Sequence, residues 1–237
     1  STENCVQLDF LLVGEGPTEI GTQPEVMTEE TDSISAIVVN RTLAWISEQE
    51  SRQRVCVRFP MIRLFSQIAS PDVYVLTEGV STFIDRQLRK KIVSALLLAK
   101  NFSLHGVLFQ YDKERYQNED LHKHYDDAMA EIGQTPVAAM RTIIVSPCRC
   151  VETWLLVDVD AVRGLYAEWN DPFSTSPEQR PECRVLKSRI SALAESTGLT
   201  ERDIRVQLAQ SMSIDKLSQS CPTAFGKFAS TCRSSMP

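Results

Sequence analysis

The feature that most constrains this 237-residue sequence is an alternation, in which short apolar, largely β-branched runs are separated by stretches with the 3.6-residue period of an amphipathic helix. Val6 to Val13 (VQLDFLLV) reads as a strand that stops at the turn Gly14-Glu15-Gly16-Pro17. Ile34 to Ser47 reads as a helix behind a capping Asp32-Ser33 pair. Val55, Val57 and Phe59 alternate before Pro60, and Val73 to Leu76 is a second short run; both predict strands. Ser81 to Lys100 then places Ile84, Leu88, Ile92, Ala95 and Ala99 on one helical face. Leu104 to Gln110 predicts a strand, Asp120 to Ile132 a helix and Val137 to Val145 a further strand. Strands alternating with helices pair in parallel and carry helices on both faces of the sheet. The fold class is therefore α/β, with a mainly parallel sheet flanked by helices and a site expected at the carboxyl ends of the strands.

Beyond Val151 the pattern turns helical: Val151 to Asp158, Val159 to Trp169, Pro177 to Ser196 and Glu201 to Gln210. This predicts an α/β core over 1–150 and a helical extension over 151–237 packed on it. The net charge of −6 means that any nucleic-acid contact has to come from a local basic patch or through bound cations. The helix over 81–100 supplies the best such patch, with Arg86, Arg89, Lys90, Lys91 and Lys100. Its bland reading is a solvated helix face. Seven cysteines in no regular framework, and a polar start, predict reduced thiols in a cytoplasmic protein. Ile92 to Ala99, the longest strongly apolar stretch, is far below the roughly 20 residues that span a bilayer, so no membrane segment is expected.

Three strand ends carry carboxylates. Glu15 follows the first run inside a glycine turn, where substrate can approach the backbone closely, and Glu19 stands one turn further on. From Glu15 to Asp32, both included, the sequence has six acidic residues and no basic one, which reads as a flexible acidic loop. Asp112 and Glu114 follow Leu104–Gln110, which a parallel sheet brings to the same edge. Glu152 opens the helix that follows Val137–Val145. Oxygen ligands gathered in this way suit hard cations such as Mg²⁺. Glu78, after VYVLTEG, is the rival to Glu15, but only Glu15 leaves room for a helix, a strand and a second helix before Asp112. Trp154, Leu155 and Leu156 read as core. Cys148-x-Cys150 has no second pair or spaced histidine to complete a zinc set, and His122 and His124 read as surface residues of a helix start. Phosphate-loop, serine-hydrolase and dinucleotide-binding motifs are absent from the sequence.

GEGPTE near the start, a strand ending in Asp112-Lys113-Glu114, and VETWLLVD followed by CPTAFGKF resemble the Toprim-like family of bacterial anti-phage defence loci, encoded beside ABC-type or OLD-like ATPases. The resemblance runs over nearly the whole chain. It implies a Toprim-like (Rossmann-like) core and a nuclease that uses Mg²⁺ or Mn²⁺, held by Glu15, Asp112 and Glu152 with Glu114 nearby. Glu19 or Glu114 would then accept a proton. It also implies DNA or RNA as substrate and an ATPase subunit as partner, while self-association into a homo-oligomer stays open. Lys187, in RVLKSRI, matches a family lysine and joins Arg89 and Lys90 as a candidate phosphate contact. One position departs from the pattern: Gln110 stands where the family has Asp, and a neutral amide is a weak ligand for a hard cation. The alternative function is a non-catalytic Toprim-like subunit that docks on the ATPase and senses or transmits a nucleic-acid signal.

Overall fold

The first apolar run forms β1 (Val6–Gly14), and Phe10, Leu11, Leu12 and Val13 within it are wholly buried. The computed structural model describes residues 5–14, 33–68, 74–77, 80–83, 87–111, 121–133, 135–147, 150–169, 178 and 183–237. Because β1 is buried on both faces, its successive side chains enter two different cores. Leu8, Phe10 and Leu12 join one, and Leu11 and Val13 join the other. The same alternation divides β5 (Gly106–Gln110) and β6 (Arg141–Val145): Leu108, Ile143 and Val145 face the first core, and Val107, Phe109 and Ile144 face the second.

With β2 (Val55–Leu64), these strands make a four-stranded, wholly parallel sheet of order β2-β1-β5-β6. The register sets Phe10 opposite Gly106 and Val13 opposite Phe109. Gly106 is required here, since a Cβ would collide with the Arg141 carbonyl and the Phe10 ring. The sheet therefore closes tightly at the amino-terminal end of its central pair.

Helix α1 (Ile34–Gln49), capped by Ser33 whose hydroxyl accepts the Ala36 N–H, covers the first face. Helices α2 (Gln87–Asn101) and α3 (Leu121–Ile132) cover the second. Residues 151–237 form α4 (Val151–Leu155), α5 (Val159–Leu165), α6 (Cys183–Thr197), α7 (Glu201–Ser211), α8 (Ile214–Ser220) and α9 (Pro222–Ser235). They extend the first core, where Trp154 packs against Phe225 and Phe228, and Phe225 meets Trp45 of α1. Large aromatic groups sealed in this way contribute about 3–5 kcal/mol each against truncation to alanine.

Helix side chains cap part of each edge of the sheet. At β2, the Asn40 amide donates to the Val57 carbonyl and accepts the Val57 N–H, imitating a neighbouring strand. At β6, Thr231 Oγ1 accepts the Ile144 N–H, and Ser235 Oγ donates to the Thr142 carbonyl. Such caps occupy backbone groups that an edge strand would otherwise offer to another chain.

The structure corrects several expectations. Strand β2 does not stop before Pro60 but runs through it to Leu64, because β2 is an edge strand and the register slips by one residue between Asp9 and Leu11. Proline needs such a bulge, having no N–H for the ladder. Residues assigned to the start of the 81–100 helix instead form β4 (Val80–Phe83), antiparallel to β3 (Tyr74–Thr77), and α2 begins at Gln87. The run Val-Ser-Thr-Phe carries β-branched and aromatic residues, and pairing with β3 overrides the helical period. Val137 to Met140 is a pair of turns rather than strand, with Ala138 N–H donating to the Thr135 carbonyl and Met140 N–H to that of Val137. The helix expected over Pro177 to Ser196 is described from Cys183. Cys5, just before β1, and Cys56 of β2 are joined by a disulfide, against the expectation of reduced thiols throughout; Cys150, Cys183, Cys221 and Cys232 are buried. Burial pushes the Cys232 thiol far above its ordinary pKa. No helix among the described residues is long and apolar enough to cross a membrane.

Candidate metal site at the carboxyl edge of the sheet

Parallel pairing brings the carboxyl ends of β1 and β5 side by side, Val13 lying opposite Phe109. Gln110 lies in turn opposite Val145 of β6, and the Tyr111 N–H donates to the Val145 carbonyl. Aromatic rings floor this edge. Phe65, just past β2, stacks on Phe109 at 5.9 Å and meets Tyr111 edge-on at 5.8 Å. Glu15 follows Gly14 in the sequence and Asp112 follows Tyr111. Glu15, Glu19, Asp112 and Glu114, together with Glu78 and Cys148, lie outside the described residues. Gln110 is only 1% exposed, so its amide belongs to the packed end of β5.

Glu152 is wholly buried in the first turn of α4 and takes part in an ion pair. Arg205 of α7, only 5% exposed at its side chain, donates Nε–H to Glu152 Oε1 at 2.9 Å and Nη1–H to Glu201 at 3.0 Å. Burial by itself would lower the Arg205 pKa, but the two carboxylates more than offset it and hold the guanidinium above its ordinary value. Glu201 is held below the usual carboxylate range, first by the Ser191 hydroxyl and then by Arg205, against the effect of burial. Glu152 Oε2 and the Trp154 indole N–H are buried with no hydrogen-bond partner among the described residues. The ion pair fastens α4 to α7, and one hard oxygen is left over.

Asp158, the last acidic residue of VETWLLVD, caps α5 by accepting the Ala161 N–H. It also accepts the Ser213 N–H and, at 2.7 Å, the Lys216 ammonium. Burial would raise its pKa, but these hydrogen bonds prevail and lower it. Its geometry is that of a clamp joining α5 to α8.

The basic face of α2 divides by position. Arg89 bonds Asp127 and Glu131 of α3, so its charge is neutralised between two helices. Lys90 is half-buried on the same turn. Lys91 donates from Nζ to the Phe65 carbonyl at 2.8 Å, which ties a cation to the carboxyl end of β2. The sequence placed Lys91 in the basic patch without separating it from its neighbours; only the packing of α2 against the turn after β2 distinguishes it. Lys187 lies half-buried on α6, in the helical extension. His124 is buried, not on the surface, because Leu121, His124 and Ala128 share the inward face of α3.

Carboxylate oxygens suit a hard divalent cation, and the unpartnered Oε2 of Glu152 fits that chemistry. Among the described residues, no group of three or more His, Cys, Asp or Glu side chains is placed to hold a metal ion. No family model, curated protein or solved structure matches the chain.

Proposed function

We propose that this chain is a Toprim-type nuclease dependent on Mg²⁺ or Mn²⁺, cleaving DNA or RNA as the effector subunit of an anti-phage system beside an ABC-type or OLD-like ATPase. The observation that carries the reading is the parallel adjacency of β1 and β5, with α1, β2, the β3–β4 pair and α2 in the chain between them. It includes the helix, strand and helix required between Glu15 and Asp112, with the β3–β4 pair as an addition, and in the sequence these two residues directly follow the described ends of neighbouring strands. Glu15 and Asp112 hold the cation in this reading, and Glu152 and Glu114 are further ligands. When bound, the cation polarises the scissile phosphate and lowers the pKa of an attacking water. Glu19 or Glu114 takes the proton released by that water. Lys90, Lys91 and Lys187 draw the phosphate backbone toward an otherwise acidic molecule, and Arg89 contributes where its carboxylate partners yield it.

The test is oligonucleotide cleavage with Mn²⁺, comparing the wild type with Glu15→Ala and Asp112→Ala. Cleavage that disappears with EDTA and in both variants supports the proposal. No metal-dependent cleavage, even with the ATPase present, overturns it.

The second reading, a non-catalytic Toprim-like subunit that transmits a nucleic-acid signal to the ATPase, is favoured by Gln110. Its neutral amide is packed into the end of β5, where the family pattern has a carboxylate. Nucleic-acid binding without cleavage would support that reading.

A further inference from the structure

Helix α6 lies on the outside of the helical extension and buries one side only. Cys183, Leu186 and Ile190 enter the first core, while Val185, Arg189, Ala192 and Ser196 are exposed. Steps of four, three and four residues set these exposed positions in one stripe along the helix. Val185 is 38% exposed and Leu199, just beyond the helix, 37%, and Leu165, at 40%, lines the open groove beside α6. Of the four large apolar side chains exposed among the described residues, three therefore gather around this one helix. Apolar exposure concentrated in one place marks a contact surface.

The charges on this side of α6 are unused within the chain. Arg189 and Glu195 are exposed, and neither side chain has a hydrogen bond or ion pair among the described residues. Their spacing is symmetric about Ala192, with Arg189 three residues before it and Glu195 three after. Ser188 and Ser196 stand four residues to either side, and Val185 and Leu199 seven. Reading outward from Ala192, each position thus has a complement at the same distance on the other side: cation with carboxylate, hydroxyl with hydroxyl, apolar with apolar.

We propose that this face of α6 pairs with itself, joining two copies of the chain through antiparallel helices about a two-fold axis at Ala192. The axis sets Arg189 of each copy level with Glu195 of the other, within reach of their long side chains, and Val185 level with Leu199 at both ends. Ala192 meets its counterpart on the axis, where a methyl group lets the helices approach to about 8 Å, the near end of ordinary helix packing. A polyanion is a poorer occupant, because it would meet Glu195 as a like charge. One helix face buries less than the roughly 1,600 Å² of a standard interface, so the dimer is weak and forms at micromolar concentrations. The pairing is independent of whether the proposed metal centre cleaves.

Sedimentation equilibrium of the full chain over a concentration series tests it. The wild type should dimerise, and Arg189→Glu or Glu195→Arg alone should weaken dimerisation about tenfold, because both ion pairs become like-charged. Combining the two reversals restores opposite charges across the axis and should recover the wild-type association, in proteins whose melting curves match. Under mild oxidation Ala192→Cys should give a covalent dimer, since the axis brings its sulfurs within disulfide reach, whereas Ser230→Cys, exposed on α9, should not. A chain that stays monomeric at its highest soluble concentration, or a dimer indifferent to both single reversals, would overturn the assignment. So would a double reversal that fails to recover association, or an Ala192→Cys chain that does not cross-link.

Discussion

Replacing Arg205 with alanine probes the interior of the helical extension. The wild-type guanidinium sits 2.9 Å from Glu152, a carboxylate with no solvent exposure and a second oxygen that has no partner among the described residues. Without Arg205 the carboxylate must either stay charged and unpaired in the core or take up a proton. Breaking a buried pair from one side costs about 3–5 kcal/mol. For a chain of this size each kcal/mol moves the melting temperature by about 2–4 °C, so Arg205→Ala should melt about 6–20 °C lower. Adding Glu152→Gln to Arg205→Ala removes the stranded charge and should recover more than half of the loss. Thermal unfolding followed by circular dichroism, with urea titration for the free energies, measures all four corners of the cycle. A loss below about 1 kcal/mol for Arg205→Ala, or a double variant no more stable than the single one, would refute the buried-pair argument.

Asp158→Ala should cost about 2–4 kcal/mol, since Lys216 and two backbone N–H groups lose a buried acceptor at once. Because the folded pKa of Asp158 is lowered, its stabilisation is complete above the unfolded value near about 4 and is lost as pH falls through the lower folded value. Urea titrations at several pH values should therefore show less acid loss in Asp158→Asn than in the wild type. Asn40→Ala should cost about 1–3 kcal/mol and speed hydrogen exchange at the Val57 N–H; unchanged exchange there would contradict the edge cap. Saturating Mn²⁺, at about 100 times its dissociation constant, should stabilise the fold by about 2.7 kcal/mol, and Glu15→Ala should abolish the effect in a melting assay.

The central strands were legible because burial on both faces demands near-continuous apolar runs, and LLV in β1 and VLF in β5 have few other uses. The Ser33 cap of α1 was legible for a local reason, a hydroxyl just before the first helical turn. Where the reading failed, tertiary contacts had overruled local pattern. Pro60 is harmless on an edge strand with a bulge, and Val80–Phe83 becomes strand only because β3 lies beside it. Cys5 and Cys56 are 51 residues apart, and only the β1–β2 register brings them together. For the candidate site, the neighbouring ends of β1 and β5 followed from parallel pairing. The pairing of Glu152 with Arg205, 53 residues away, and the selection of Lys91 from the basic face of α2 depend on helix packing that no local spacing encodes.

The most direct test of the proposed metal centre is anomalous diffraction from crystals soaked in Mn²⁺. The account predicts one or two anomalous peaks bound by both the Glu15 and Asp112 carboxylates, at the Mn²⁺–oxygen separations of a hard-cation site. Glu15 and Asp112 carboxylates more than about 8 Å apart, with no peak between them, would contradict it, because metal–oxygen bonds near about 2.1 Å cannot bridge that gap.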